Sequence, residues 1–290
     1  MFLKKLLANR KLLVISIILA LLVIGFFVYQ KLSPSQDSLS IEEMDLVFDA
    51  EGPFALMIPR RDGNAVNLSL KRTSSYDKIS YELAYTSQPD DIKAGSGDEV
   101  ESGGVDRGVV GDVKTDQKKG EYEQEVLFGT CSKNVCKYDK GVENGTLTLH
   151  IQKGKQAYKM VTQWHLQQPD VALGVLTSGD GHFTYKITAL RQDLALVGYT
   201  IINDLSGLPK LSEGRSVVRK VYSLNVPLAK TLQPGEVKIS LAEKPDPNAK
   251  IERYDLSRNE WKQLETKIDG SNLTASADGV GIFAVLTPKK

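Results

Sequence analysis

Three histidines, two cysteines and 36 acidic residues are the side chains of this 290-residue chain whose types could carry chemistry. Nucleophilic catalysis needs a nucleophile beside a positioned base, and a metal enzyme needs a cluster of ligands. His150, His165 and His182 each fall on the more polar parity of a different strand-like segment, so they read as surface histidines. No Gly-x-Ser-x-Gly elbow, phosphate-binding glycine loop or His-Glu-x-x-His helix occurs. No catalytic, cofactor or metal residue is therefore assigned, and the chain reads as a non-enzyme. Paired carboxylates of the glycosidase kind stay open, because spacing along the chain gives no geometry for the 36 acids.

Cys131 and Cys136 have four residues between them. A pair this close predicts a disulfide across a tight turn, worth only about 2 kcal/mol because the loop it closes is so small. Zinc would need about four ligands, and no second cysteine pair exists. A redox motif would show two intervening residues rather than four. Asn67, Asn144 and Asn272 each open an Asn-x-Ser/Thr triplet, which matters only in a host that glycosylates.

These side chains have to be held by something, and the first organising stretch is residues 12–29, eighteen in a row without a charge. As a helix it would reach roughly 27 Å, close to the hydrocarbon thickness of a bilayer. Lys4, Lys5, Arg10 and Lys11 precede it and only Lys31 follows closely. The positive-inside rule then predicts a cytoplasmic N-terminus over 1–11, a signal anchor over 12–29 in contact with the lipid bilayer, and extracytoplasmic domains beyond it. A cleaved secretory signal is the alternative, but its apolar run is usually shorter and ends at a small-residue cleavage site. Residues 30–40 are rich in Ser, Pro, Gln and Asp, the composition of a linker.

Beyond the linker the pattern is that of strands. Val66, Leu68 and Leu70 alternate with polar residues, as do Ile79, Tyr81, Leu83 and Tyr85, then Leu147, Leu149 and Ile151. Tyr158, Met160, Trp164 and Leu166 share one side of the next segment, and Phe183, Tyr185 and Ile187 face inward after the turn at Gly179-Asp180-Gly181. Residues 194–202 are apolar on both parities, as expected of a strand covered on both faces. Asn144-Gly145 reads as a turn. Over 90–120 the alternation fails, with a brief strand signal at Val109 and Val110, and the stretch reads as a mobile loop. Its acids Asp90, Asp91, Asp98, Glu99, Glu101 and Asp106 do not follow the spacing of an EF-hand.

The predicted fold class is thus all-β: one N-terminal transmembrane helix followed by two β-sandwich domains, over 41–168 and 169–290. After the anchor's four basic residues, 33 Lys and Arg face 36 Asp and Glu. With no basic stripe, nucleic acid is excluded as a partner.

Two stretches resemble known proteins. The run Val221-Tyr222-Ser223-Leu224, Val237-Lys238-Ile239-Ser240-Leu241, Tyr254-Asp255 before Trp261, and Gly281-Ile282-Phe283-Ala284-Val285-Leu286 resembles the C-terminal β-sandwich modules of bacterial surface proteins. The segment from Leu127 through Cys131 and Cys136 to Thr146 resembles uncharacterised single-span surface proteins of candidate-phylum bacteria. Those resemblances imply location and architecture, with no site residues to carry over. The function expected is a membrane-anchored extracytoplasmic β-sandwich protein with a binding or structural role at the cell envelope, its partner an envelope protein or a glycan. The alternative is an extracytoplasmic hydrolase acting on glycan or peptide.

Overall fold

A computed structural model describes residues 42–88, 104–114, 120–133, 135–169, 174–188, 198–228 and 230–289. Among them every regular element is a strand. In chain order these are β1 (Glu43–Leu46), β2 (Phe54–Pro59), β3 (Ala65–Lys71), β4 (Lys78–Ser87), β5 (Val105–Val113), β6 (Glu121–Leu127), β7 (Gly129–Ser132), β8 (Val135–Tyr138), β9 (Asn144–Lys153) and β10 (Gln156–Gln167). The second half adds β11 (Val175–Thr177), β12 (Phe183–Ile187), β13 (Thr200–Asp204), β14 (Arg215–Asn225), β15 (Gly235–Ser240), β16 (Lys250–Asp255), β17 (Glu260–Gln263), β18 (Thr266–Asp269), β19 (Asn272–Ala277) and β20 (Gly281–Pro288).

The main sheet runs β17-β16-β20-β14-β13-β10-β9-β4-β5. β10 is long enough to take two partners along one edge: β1 on residues 157–160, in parallel, and β13 on 164–167, antiparallel. Two smaller sheets, β2-β3-β6 and β11-β12-β15-β19-β18, cover the main one, and β7-β8 is a separate hairpin.

The smaller sheets lie on opposite faces, and the register shows why. Residues directly opposite in an antiparallel ladder share a face, and successive residues alternate. Leu166 pairs with Ile201, and both enter a core with Leu68, Leu83, Leu149 and Val126, under β2-β3-β6. His165 pairs with Ile202, which points the other way into a core with Phe183, Tyr185, Val237 and Phe283, under β11-β12-β15-β19-β18. At β13 the main sheet therefore passes from the cover of one small sheet to that of the other. The expected division at 168/169 falls between β10 and β13, which are hydrogen-bonded neighbours. Each half has its own core while one sheet runs through both.

The alternation read from sequence sets the buried faces of β4, β9 and β12, where Leu83, Leu149 and Phe183 are fully buried. Three local expectations are corrected. Asn144-Gly145 is no turn: Asn144 opens β9, and Gly145 sits in the strand opposite Trp164 and Tyr85. A Cβ there would lie 2.2 Å from the Ala84 carbonyl oxygen and 2.5 Å from the Trp164 ring, so only glycine admits the buried indole. The stretch 90–120 contains the nine-residue β5, hydrogen-bonded along β4. Its four exposed polar or glycine positions hid it from an alternation count. The rest of that stretch, except residues 104, 114 and 120, lies outside the described residues. Of the strand expected over 194–202, residues 200–202 belong to β13 and 194–197 are not described.

The fold class is corrected more fundamentally. No helix occurs among the described residues, and none is long and apolar enough to cross a membrane. The span assigned to residues 12–29 lies outside the described residues. The N-terminal transmembrane helix, the lipid-bilayer contact, the single-pass topology with a cytoplasmic N-terminus and the anchored role find no support among the described residues and are not carried further.

Candidate functional site

The residues singled out by type do not converge. His150 Nδ1 lies 2.9 Å from Glu43 on β1, and His165 Nδ1 lies 2.7 Å from the Asn144 side-chain oxygen. Burial holds the His165 imidazole below its usual range, keeping it neutral near pH 7. His182 contributes its backbone N–H to a turn. Cys131 and Cys136 face each other across β7-β8 and are bonded, as their spacing predicts. Asn67 lies in β3, and Asn272 accepts the Ser240 hydroxyl at 2.7 Å. No group of three potential metal ligands occurs among the described residues.

A different set does converge, where the main sheet passes from the cover of β2-β3-β6 to that of β11-β12-β15-β19-β18. Asp204 ends β13 on the same side as Ile202, directly opposite Tyr222 of β14. The β11-β12 turn brings Asp180 to the same place. Asp180 closes that turn itself, accepting the Ser178 hydroxyl at 2.6 Å and the His182 N–H at 3.1 Å. Lys220 joins the two acids: its Nζ lies 2.9 Å from Asp180 Oδ2 and 3.2 Å from Asp204 Oδ2. Asp180 Oδ2 also accepts the Tyr222 hydroxyl at 3.0 Å, and the Gln163 N–H of β10 donates to Asp204.

Lys220 reaches both acids because β14 bulges. Between the pairs Val217–Leu286 and Val221–Ala284, three residues of β14 face one of β20. The surplus pushes Arg219 and Lys220 out of the sheet, while Val217 and Val218 pack against the cores on its two faces. Arg219 takes the left-handed conformation, φ 69°, which costs a non-glycine residue roughly 1 kcal/mol.

The environments push the two acids apart. Burial raises the Asp204 carboxyl above its usual range, against the opposing pull of the Gln163 N–H and Lys220. For Asp180 burial also acts upward, but the hydrogen bonds from Ser178, Lys220 and His182 outweigh it and push the carboxyl down to about 2. Burial tends to strip Lys220 of its charge, and the two carboxylates more than restore it. Burial and the Asp180 charge raise the Tyr222 phenol, so it stays protonated and donates to Asp180.

Two depressions meet at Gln163. One, of about 500 Å³, is walled by Val47, Phe48, Val161 and Val217, with Asp204, Arg219 and Lys220 at its polar side. The other, of about 680 Å³, runs over the polar face of β4, β5 and β9 past Glu82, Thr86, Asp106 and Thr146. The indole of Trp164 lines it under Gly145, and its N–H has no hydrogen-bond partner among the described residues. Together they form an open cleft across the sheet. A depression of about 740 Å³ is larger and is lined by Glu236, Glu265 and Asp278, with Asp278 paired to Lys262.

Sequence reasoning missed Asp180, Asp204, Lys220 and Tyr222. Two signals were present: the Gly179-Asp180-Gly181 turn, and two adjacent cations interrupting an otherwise apolar strand at Arg219-Lys220.

No family model and no curated protein matches the chain. The expected kinship with single-span surface proteins of candidate-phylum bacteria and with bacterial surface β-sandwich modules is accordingly not upheld. Among solved structures, alpha-L-fucosidase isoenzyme 2 from Paenibacillus thiaminolyticus is similar at 11% identity, over 78% of this chain and 34% of that chain, with a TM-score of 0.17. The chain spans about a third of that enzyme, and a likeness this slight carries no argument.

Proposed function

We propose that the chain is a hydrolase of glycan chains, working through Asp204, which lines the cleft across β10, β13 and β14, and Asp180, which shares Lys220 with it. One observation carries the reading: two acids held by one ammonium group are driven in opposite directions, Asp204 toward the protonated form and Asp180 toward the ionised form. A split of this kind assigns an acid and a nucleophile.

Their spacing selects the course of the reaction. Both oxygens lie on Lys220 Nζ, so their separation cannot exceed the sum of 2.9 and 3.2 Å. That falls short of the roughly 6.5–9.5 Å at which a water fits between acid and sugar for inversion. Retention follows. Asp204 gives its proton to the glycosidic oxygen as the bond to the anomeric carbon breaks, while an Asp180 oxygen bonds to that carbon and the leaving sugar departs as an alcohol. Asp204, now a carboxylate, takes a proton from water. The water oxygen then attacks the anomeric carbon and frees Asp180, so one water is consumed for each bond cut.

The test is release of reducing ends from a panel of neutral and acidic polysaccharides. Asp180→Asn and Asp204→Asn should each lower the rate by about a thousandfold or more while the fold, followed by circular dichroism, persists. With an aryl glycoside, whose leaving group needs no proton, Asp204→Asn should lose less than Asp180→Asn. A wild-type chain that cuts none of the panel, or an Asp180→Asn variant that keeps its rate, refutes the proposal.

A second reading follows from Lys220 itself. With its oxygens already engaged by Ser178, His182, Lys220 and Tyr222, Asp180 is also suited to fixing the cleft's shape in a glycan-binding protein without catalysis. Saturable binding without cleavage, lost in Lys220→Met, would favour it.

A further inference from the structure

We infer that the glycan taken by this cleft carries a carboxylate, and that Arg219 is the residue that selects it. The inference rests on the hydrolase reading for its cleft and goes beyond it in naming the substrate class and the selecting side chain.

Three charged side chains border the apolar depression: Asp204, Arg219 and Lys220. The charge of Lys220 is already shared between Asp180 and Asp204. Arg219 next to it has no ion pair and no side-chain hydrogen bond among the described residues. A guanidinium is a planar fork of donors whose spacing matches the two oxygens of a carboxylate. A neutral sugar offers it only hydroxyls, and a cationic amino sugar would be repelled by both basic residues.

The backbone points the same way. Arg219 sits at φ 69° in the bulge, where glycine would be free of strain. A strained non-glycine residue at a cleft is an observation from which to argue a role. The same depression is walled by Val47 and Val161, 89% and 47% exposed. Such a surface suits the C–H face of a sugar ring whose carboxylate points at the arginine.

Two matched pairs of polymers test this: polygalacturonate with its methyl ester, and alginate with its propylene glycol ester. Within each pair the backbone is the same and only the carboxylate is masked. Titration calorimetry of the full chain at low and moderate salt should show the acidic form of at least one pair bound about tenfold tighter than its ester. Arg219→Gln should abolish that ratio. Arg219→Gly relieves the backbone and should abolish it too, which separates loss of the fork from misfolding, and Arg219→Lys should retain only part of it. Equal binding of acid and ester, no binding to either pair, or a ratio that survives in Arg219→Gln and Arg219→Gly overturns the inference. Reducing ends counted in the same samples keep the two readings apart. Discrimination without cleavage sinks the hydrolase and leaves the selectivity standing; cleavage of acid and ester at equal rates does the reverse.

Discussion

Lys220→Met removes the one group among the described residues that pairs with both acids, and its consequence can be worked through. Asp180 ionises in the fold near pH 2 against an ordinary 3.8, a difference worth about 2 kcal/mol, of which Lys220 supplies one part among several donors. Its side chain is 48% exposed, so water screens the pair and its share is smaller than a fully buried pair would give. Counting both acids, the loss at pH 7 should be about 1–2 kcal/mol, or about 3–6 °C in Tm for a domain of this size. The pH dependence is the sharper test. The depressed Asp180 contributes stability that is present above pH 3.8 and lost as pH falls toward 2. The raised Asp204 acts in the other direction: the fold favours its protonated form, so its ionisation costs stability as pH rises above 3.8. Without Lys220 the two ionised acids repel each other at pH 7, whereas near pH 4 Asp204 takes up a proton and the repulsion goes. Urea unfolding of both chains at pH 4 and pH 7, followed by circular dichroism, should show a deficit at pH 7 that shrinks by half or more at pH 4. A deficit below about 0.3 kcal/mol at pH 7, or one equal at the two pH values, would refute the coupling of these three side chains.

Two further outcomes follow from the packing. Gly145→Ala places a methyl 2.2 Å from the Ala84 carbonyl oxygen and 2.5 Å from the Trp164 ring, a clash with backbone that cannot swing away. It should destabilise by about 2–3 kcal/mol and shift Trp164 fluorescence, and a neutral effect in urea titration would contradict the close approach. Cys131→Ser with Cys136→Ser opens a small exposed hairpin, so unfolding should weaken by no more than about 2 kcal/mol with no change in glycan binding. A larger loss on calorimetric scanning would contradict this small contribution.

The amino-acid sequence determined the local chemistry of this chain. Alternation with a period of two dictated strands, because only an extended backbone sends Ile79, Tyr81, Leu83 and Tyr85 to one side, and all four are buried. The cysteine spacing likewise dictated a bond across a hairpin. What it could not determine was anything set by partners distant along the chain. Asn144-Gly145 has the composition of a turn but lies in a strand, because the indole nineteen residues later needs the missing side chain. Strand order and the change of covering sheet at Ile201 and Ile202 are decided by which ladders close and which small sheet covers each side. The candidate site is of this second kind. Asp180, Asp204 and Lys220 meet only because a turn, a strand end and a two-residue bulge arrive at one face of one sheet. Electrostatic coupling depends on distance through space, and no spacing along the chain encodes it.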